Sequence, residues 1–484
     1  MAQLRPRVRI DVREAVTLQA QAGTGVVAIL GTATWGEMNV VQTITSLSQC
    51  IDLFKDDKAG TTDTISIIKG CELLYRNGGG TVKIVRVGDG DEAKSTKAFD
   101  GNTGAEVGVL TFDGLYEGTY GDNIGVTITA NAGTPANRDI VITDGLNTES
   151  YDNGGVGYAT NAAIATAING ISTLVTVTVK AGSETSNVVD ASTQTFLTGG
   201  DDGEDSLTAS DYTTAFGNVM TSEDFDILVI PGDDALEASD AFHATIVGTL
   251  NTRATAEDKY AIFCSGIAKD ETIATAQART ASGERLTVVS PNEKYTHRID
   301  NTQIILNGSY LACSYAGGMA GRLVQIAPTH KVINTEGVSV LESTGKDFYN
   351  NGEQETLLSS RIVPITSIFG GIMPSRGVTR ITDTTSVFYE VNIVRIVDYV
   401  KAQTLTKMNG FVGDPNLERI RTIMAKEVDG ILEQDKLDEV IAGFLPTEVA
   451  CGSSPDTVLV NMTIQPTFAI NFINVSLTIS QLEG

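Results

Sequence analysis

Positive charge is what this chain has least of. Its 484 residues carry 34 Lys+Arg against 60 Asp+Glu, a formal net charge of −26. Nucleic acid and anionic membrane surfaces both select basic patches, so the acid excess excludes them as partners. Cysteine is scarce too: Cys50, Cys71, Cys264, Cys313 and Cys451 are scattered, with no CxxC and no Cys/His spacing. That excludes a disulfide framework and a zinc site, and predicts reduced, buried thiols in a cytoplasmic product, an inter-subunit disulfide being the alternative. There are only three histidines, no GxSxG elbow, no GxxxxGK[ST] and no GxGxxG in a strand-to-helix context. No apolar run approaches the roughly 18 residues of a membrane span. The start, MAQLRPRVRIDVRE, has no apolar h-region and does not read as a secretory signal. Basic residues interleaved with aromatics, as single-stranded nucleic acid requires, are missing as well.

What is present is a long, glycine-rich, moderately apolar chain: 49 Gly and 41 % hydrophobic residues, with only 19 % charged. This is a folded profile, and the length predicts about three domains. The charge is concentrated. Residues 98–252 hold 23 acids and two bases, Arg138 and Lys180, a net of −21. The remainder, with 37 acids and 32 bases, is nearly neutral at −5.

Both ends alternate with period two. Arg5, Arg7, Arg9 and Asp11 lie on one side of a strand and Val8, Ile10 and Val12 on the other. Near the other end Ile473, Val475, Leu477 and Ile479 alternate with polar residues. A lone strand cannot satisfy its own backbone, so each arm must add to another sheet. It either folds back onto its own subunit or pairs with a neighbour.

Between the arms, Gly25–Ala33 reads as a buried strand, Thr45–Phe54 as a helix capped by Thr45 or Ser46, and Ile65–Asn77 as a second helix stopped by Gly78–Gly80 before the strand Thr81–Val87. Those glycines follow a helix and precede a strand, the reverse of a phosphate loop. Residues 89–200 show short β runs (Val107–Phe112, Ile124–Ala130, Ile140–Thr143, Leu174–Val179) and one helix, Ala159–Ile171, predicting a mostly β insertion. From Asp226 strands and helices alternate: helices are predicted over Ala235–Leu250, Thr272–Arg285 and Thr302–Met319, and a parallel sheet is implied. In the last third, Val387–Val394 reads as a strand leading into a helix, Arg395–Leu405. Asn416–Phe444 reads as one long helix, and Thr457–Ile464 as a strand.

No catalytic constellation stands out. His243 falls in a predicted helix, His297 in a polar loop and His330 after Pro328, which favours surface or structural histidines over a Ser/His/Asp site assembled in space. The run Gly199–Asp205, GGDDGED, lacks EF-hand spacing and reads as a solvated junction rather than a calcium loop. No cofactor and no metal are expected.

Several stretches resemble the contractile tail sheath family. GVVAILGTATWGEMNVVQTITSL, GGGTVKIVRV, YEGTYGDNIGVTI, FLTGGDDGEDSLTASDYTTAF, YAGGMAGRLVQIAPTHKVIN and FYEVNIVRIVDYVKAQTL follow the family's patterns, in the family's order, over nearly the whole chain. The absence of a proline after Trp35-Gly36 and the Tyr at position 120 depart from it. The resemblance implies an α/β (α+β multidomain) fold with a subtilisin-like parallel-sheet core lacking a protease site, an inserted β-sandwich, a C-terminal α+β domain and terminal strand arms. It implies the division 1–20 arm, 21–88 first part of the core, 89–203 outer β-sandwich, 204–370 core, 371–465 tube-facing domain and 466–484 arm. It implies a non-enzymatic structural subunit of a virion tail, assembled in the host cytoplasm as a helical stack of hexameric rings, with an inner tail tube, a baseplate and a tail terminator as partners. Subunits would be linked through Arg5, Arg7, Val8, Arg9, Ile10, Val12, Ile473, Val475, Leu477 and Ile479. Arg419, Arg421, Lys426, Glu427 and Glu433 on the long helix are the implied tube contacts. The competing readings are a secreted calcium-binding surface-layer or adhesin protein and an α/β hydrolase.

Overall fold

The structure is a computed structural model and describes residues 25–55, 65–102, 107–232, 234–299, 301–383 and 385–472. The two arms, Arg5–Val12 and Ile473–Ile479, lie outside the described residues.

The centre is an eight-stranded sheet. Across its width run Gly371–Pro374, Ile362–Ile368, Leu286–Ser290, Ile262–Gly266, Ile227–Val229, Val27–Gly31, Val82–Arg86 and Gln42–Ile44. The six inner strands are parallel, and each outermost strand joins antiparallel. A parallel strand is covered on both faces, which explains runs such as VAILG with every residue buried. The two faces feed two cores: Val27 and Ile29 join one, Ala28 and Leu30 the other.

Local signals set several boundaries. Ser46 caps the helix Leu47–Phe54 by accepting the Gln49 N–H. The helix Ile67–Arg76 ends at Gly78, whose φ of +99° is the left-handed turn a C-terminus needs. The helix Gly308–Ala320 is buried at every position and lies inside the first core.

The chain leaves the central sheet after Arg86 and returns at Ile227. Within this excursion two antiparallel sheets form, one of four strands (Gly125–Ala130, Arg138–Thr143, Thr148–Tyr151, Ser192–Phe196) and one of three (Thr96–Phe99, Leu110–Gly114, Val175–Val179). They enclose their own core with the helix Asn161–Ile171. The chain's single tryptophan, Trp35, comes from the loop after the first core strand and is buried in that core, 5.5 Å from Tyr116 and 5.6 Å from Tyr120 between ring centroids. Arg86 locks the same junction: its guanidinium donates to the carbonyls of Gly36 (2.8 Å), Glu117 (2.8 Å) and Asp202 (3.3 Å).

Five helix or strand expectations need correction. Ala235–Leu250 is two helices, Asp234–Glu237 and Asp240–Ala256, because Ser239 caps the second by accepting the Phe242 N–H. Of Thr272–Arg285 only Ile273–Ala278 is helical; Arg279 turns extended and binds Glu271 through its guanidinium. Thr302–Met319 begins as a strand, Gln303–Leu306, paired antiparallel with Asn292–Thr296, and Asn307 caps the helix that follows. Val387–Val394 is no strand: a 3-10 turn, Val387–Tyr389, leads into the helix Val391–Met408, whose β-branched residues are buried between two cores. Asn416–Phe444 is helical only over Glu418–Leu437; the chain reverses at Glu439 (φ +60°) and Ile441–Cys451 is a strand.

Candidate inter-subunit surface

Residues 391–466 assemble two helices and one hairpin. The helix Val391–Met408 is shared between cores. Val391 and Val394 belong to the core of the central sheet, while Ile393, Ile396 and Val400 pack with Val428, Leu432, Val440 and Ile441 of the following segments. Arg285, one residue before a core strand, grips this helix through Asp398. Arg395 reaches the carbonyls of Met319 (2.9 Å) and Arg322 (3.2 Å). The hairpin is thereby held on the body of the protein.

The hairpin pairs Ile441–Cys451 with Val458–Pro466, and no other strand joins it among the described residues. One face packs on the helices through Phe444, Val460, Met462 and Ile464. The two edges differ. In Ile441–Cys451 the register slips between Leu445 and Glu448, Pro446 lacks an N–H, and the Thr447 N–H donates to Asp429 at 2.8 Å. Bulge and proline protect an edge. Val458–Pro466 is regular, with burial alternating residue by residue. The Thr457 carbonyl accepts from Gly452 and the Thr467 N–H donates to Val440, both toward the partner strand. Antiparallel alternation then turns the backbone groups of Val458, Val460, Met462 and Ile464 outward. An open edge of this length matches the eight residues of Arg5–Val12 and the seven of Ile473–Ile479.

The five helix residues separate into groups. Arg419, Lys426 and Glu433 are exposed and spaced by seven, so they form one stripe along Glu418–Leu437. Arg421 is half-buried and donates to the Asn416 side chain at 2.6 Å, and Glu427 faces Lys407 of the neighbouring helix at 3.4 Å. These two are engaged within the chain.

The structure does bring a serine, a histidine and a carboxylate together, at Ser265, His243 and Glu237. Ser265 Oγ lies 2.5 Å from His243 Nε2 and donates to Glu237 at 2.6 Å. Each of the three is only 1 % exposed. The carboxylate sits on the serine, whereas a triad places it on the far ring nitrogen; here Nδ1 faces the Ser239 carbonyl at 2.8 Å. This is a closed polar network inside the fold. His297, expected in a polar loop, is buried at the end of Asn292–Thr296. The strand pairing there carried it inward, and only His330 is exposed.

At Gly199–Asp205 the expected solvated junction is partly buried. Asp202 accepts from the Thr119 N–H (2.7 Å) and hydroxyl (2.8 Å), and its carboxyl is pushed up chiefly by burial. Asp201 accepts from the Gly203 N–H at 2.9 Å. No group of three or more His, Cys, Asp or Glu among the described residues is arranged to hold a metal ion. Four cysteines are buried as expected; Cys451 is exposed because the hairpin strand that carries it has an open face. No helix among the described residues is long and apolar enough to cross a membrane.

Residues 383–480 match the family model described as phage tail sheath C-terminal domain. No curated protein matches the chain in sequence. In fold the chain is similar to the sheath tail protein of Desulfitobacterium hafniense, with TM-score 0.68 and 18 % identity over 92 % of this chain and 94 % of that one. A sheath tail protein of Listeria innocua gives 0.66 and 18 %, covering 93 % of each chain. The sheath of an extracellular contractile injection system in its contracted state gives 0.55 and 13 %, over 99 % of this chain and 98 % of that one. The chain therefore has the mixed α/β, multi-sheet fold of tail sheath proteins.

Proposed function

We propose that this chain is the repeating subunit of a contractile tail sheath, a structural protein and not an enzyme. The observation that carries the reading is the open Val458–Pro466 edge on a rigidly mounted hairpin, in a chain whose two ends carry sequences that alternate with period two. A terminal strand donated across a subunit boundary gains main-chain hydrogen bonds for affinity and side-chain alternation for register. Val8, Ile10 and Val12, or Ile473, Val475, Leu477 and Ile479, supply that alternation. With one regular open edge, one arm pairs with Val458–Pro466 and the other extends the sheet beyond it. Strand-linked subunits can rotate as near-rigid bodies and stay connected, which is what contraction requires.

In this reading the core has subtilisin-like strand order, residues 89–203 form the outer β-sandwich and residues 371–465 face the inner tube, with core segments at 21–88 and 204–370 and arms at 1–20 and 466–484. The stripe Arg419, Lys426 and Glu433 contacts the tube. Hexameric rings stack helically between a baseplate and a terminator, and assembly takes place in the host cytoplasm before the particle is complete.

Deleting residues 1–13 tests the proposal. The truncated chain is expected to fold as a monomer and to form no striated tubes in negative-stain micrographs, while the full chain forms them. Normal tubes from the truncated chain would refute the role of the arm.

A further inference from the structure

In a chain of net charge −26, residues 317–334 and 361–376 contain no Asp or Glu. These segments pack on each other: the His330 N–H donates to the Pro374 carbonyl and the Ile333 N–H to the Ile372 carbonyl, both at 2.9 Å. They carry Arg322, Lys331, Arg361 and Arg376. Glu390, from outside the patch, is taken by Arg376 at 2.7 Å. Lys331 and His330 are exposed.

At the end of this patch the strands Ile362–Ile368 and Gly371–Pro374 are joined by a two-residue turn, Phe369-Gly370. Both residues have positive φ, +50° and +83°. Such a turn matches the twist of a hairpin but selects Asn, Asp or Gly. A bulky side chain in the left-handed region is strained. Phe369 is also 98 % exposed. Strain and full exposure of a phenyl ring are two separate costs at one position. Val332, 55 % exposed, lies beside the strand that leaves this turn: a Cβ on Gly371 would stand 3.5 Å from its Cγ2.

We propose that Phe369 is a docking knob, rimmed by Lys331 and flanked by Val332, that seats on the acidic surface of residues 98–252 of a second copy of this chain. The inference rests on the reading of the chain as a repeating subunit. Charge complementarity selects the occupant: an acid-free patch faces a stretch of net −21 within the same protein. An aromatic anchor with a charged rim is the usual composition of an energetic centre at an interface. Joining two different surfaces of identical subunits is a heterologous contact, the kind that propagates rings or helical filaments.

The full chain and its Phe369→Asn variant are compared by sedimentation and thermal unfolding. Asn tolerates positive φ, so the variant monomer is expected to melt higher than wild type. Its assembly is expected to need at least about tenfold more protein. Lys331→Glu is expected to raise the assembly concentration as well, most strongly at low salt. A photo-crosslinking amino acid at position 369 should attach to peptides from residues 98–252 of another copy. Unchanged assembly of Phe369→Asn, or crosslinks to another region or to a different protein, overturns the proposal. If the wild-type chain itself stays monomeric, the subunit reading falls and the knob with it; wild-type tubes matched by the variant remove the knob alone.

Discussion

The Arg285 guanidinium and the Asp398 carboxylate form a two-pronged ion pair, with Nη1–Oδ2 at 2.8 Å and Nη2–Oδ1 at 2.9 Å. Arg285 directly precedes the core strand Leu286–Ser290, and Asp398 lies mid-way along the helix Val391–Met408. Burial opposes the Arg285 charge, but the hydrogen bonds to Asp398 more than compensate, so its pKa is raised. Because both side chains are largely buried, at 4 % and 13 % exposure, removing one strands the other. Asp398→Ala is expected to lower unfolding free energy by about 3 kcal/mol in urea titration. Arg285→Lys should recover little, since an ammonium cannot reproduce the fork.

The open hairpin edge predicts a separation of folding from assembly. The Val460 N–H points outward, so Val460→Pro removes no bond of the hairpin ladder. Monomer stability should fall by no more than about 2 kcal/mol, through lost packing of Val460 against the helices. Tube formation should be abolished. Circular dichroism and negative-stain microscopy on the same sample check both halves.

Glu293 predicts the direction of a pH effect. Its side chain is fully buried; Thr335 donates to it, and Arg76 and Glu336 act on it from the neighbouring helix and loop. Burial dominates and raises its pKa from 4.5 to about 8. A carboxyl raised in the folded state binds its proton more tightly there than in the unfolded chain. Its contribution is therefore intact below pH 4.5 and is lost as pH rises through 8. The loss approaches roughly 5 kcal/mol at high pH. Glu293→Gln should flatten stability between pH 5 and 9 in thermal melts, with the largest gain over wild type at the alkaline end.

Arg86 predicts how the excursion of residues 93–201 is tied to the body. Burial lowers its pKa to about 10, still well above neutrality, and three carbonyls share its charge. Arg86→Met keeps much of the volume but leaves those carbonyls without their donor. A loss of about 3 kcal/mol is expected. Limited proteolysis should cut first near residues 89–92 and 203–206, with the central sheet still protected.

Much of this architecture was legible in the chain itself. Continuous apolar strands such as VAILG and the Gly78 stop depend on neighbours only a few residues away, so local chemistry determined them. The ordered patterns pointed to the mixed α/β, multi-sheet fold that the solved tail sheath structures share. The failures share another cause. VFYEVNIV satisfies strand propensity, yet Val391 and Val394 are buried in one core and Ile393 and Ile396 in another, and residues three apart share a face on a helix but not on a strand. Val440, Ile441 and Phe444 keep helical spacing after Ile431, yet the chain reverses at Glu439 and they join the hairpin. Propensity and period are sums over near neighbours and cannot count a partner hundreds of residues away.

The sequence by itself determined the charge division, the buried core strands such as VAILG and the Gly78 stop. The open side of the hairpin, the Arg285–Asp398 tie, the burial of Ser265 with His243 and Glu237, and the display of Phe369 were decided only by tertiary structure. Each depends on which surfaces the folded chain covers and which it leaves to water, a property no segment possesses alone.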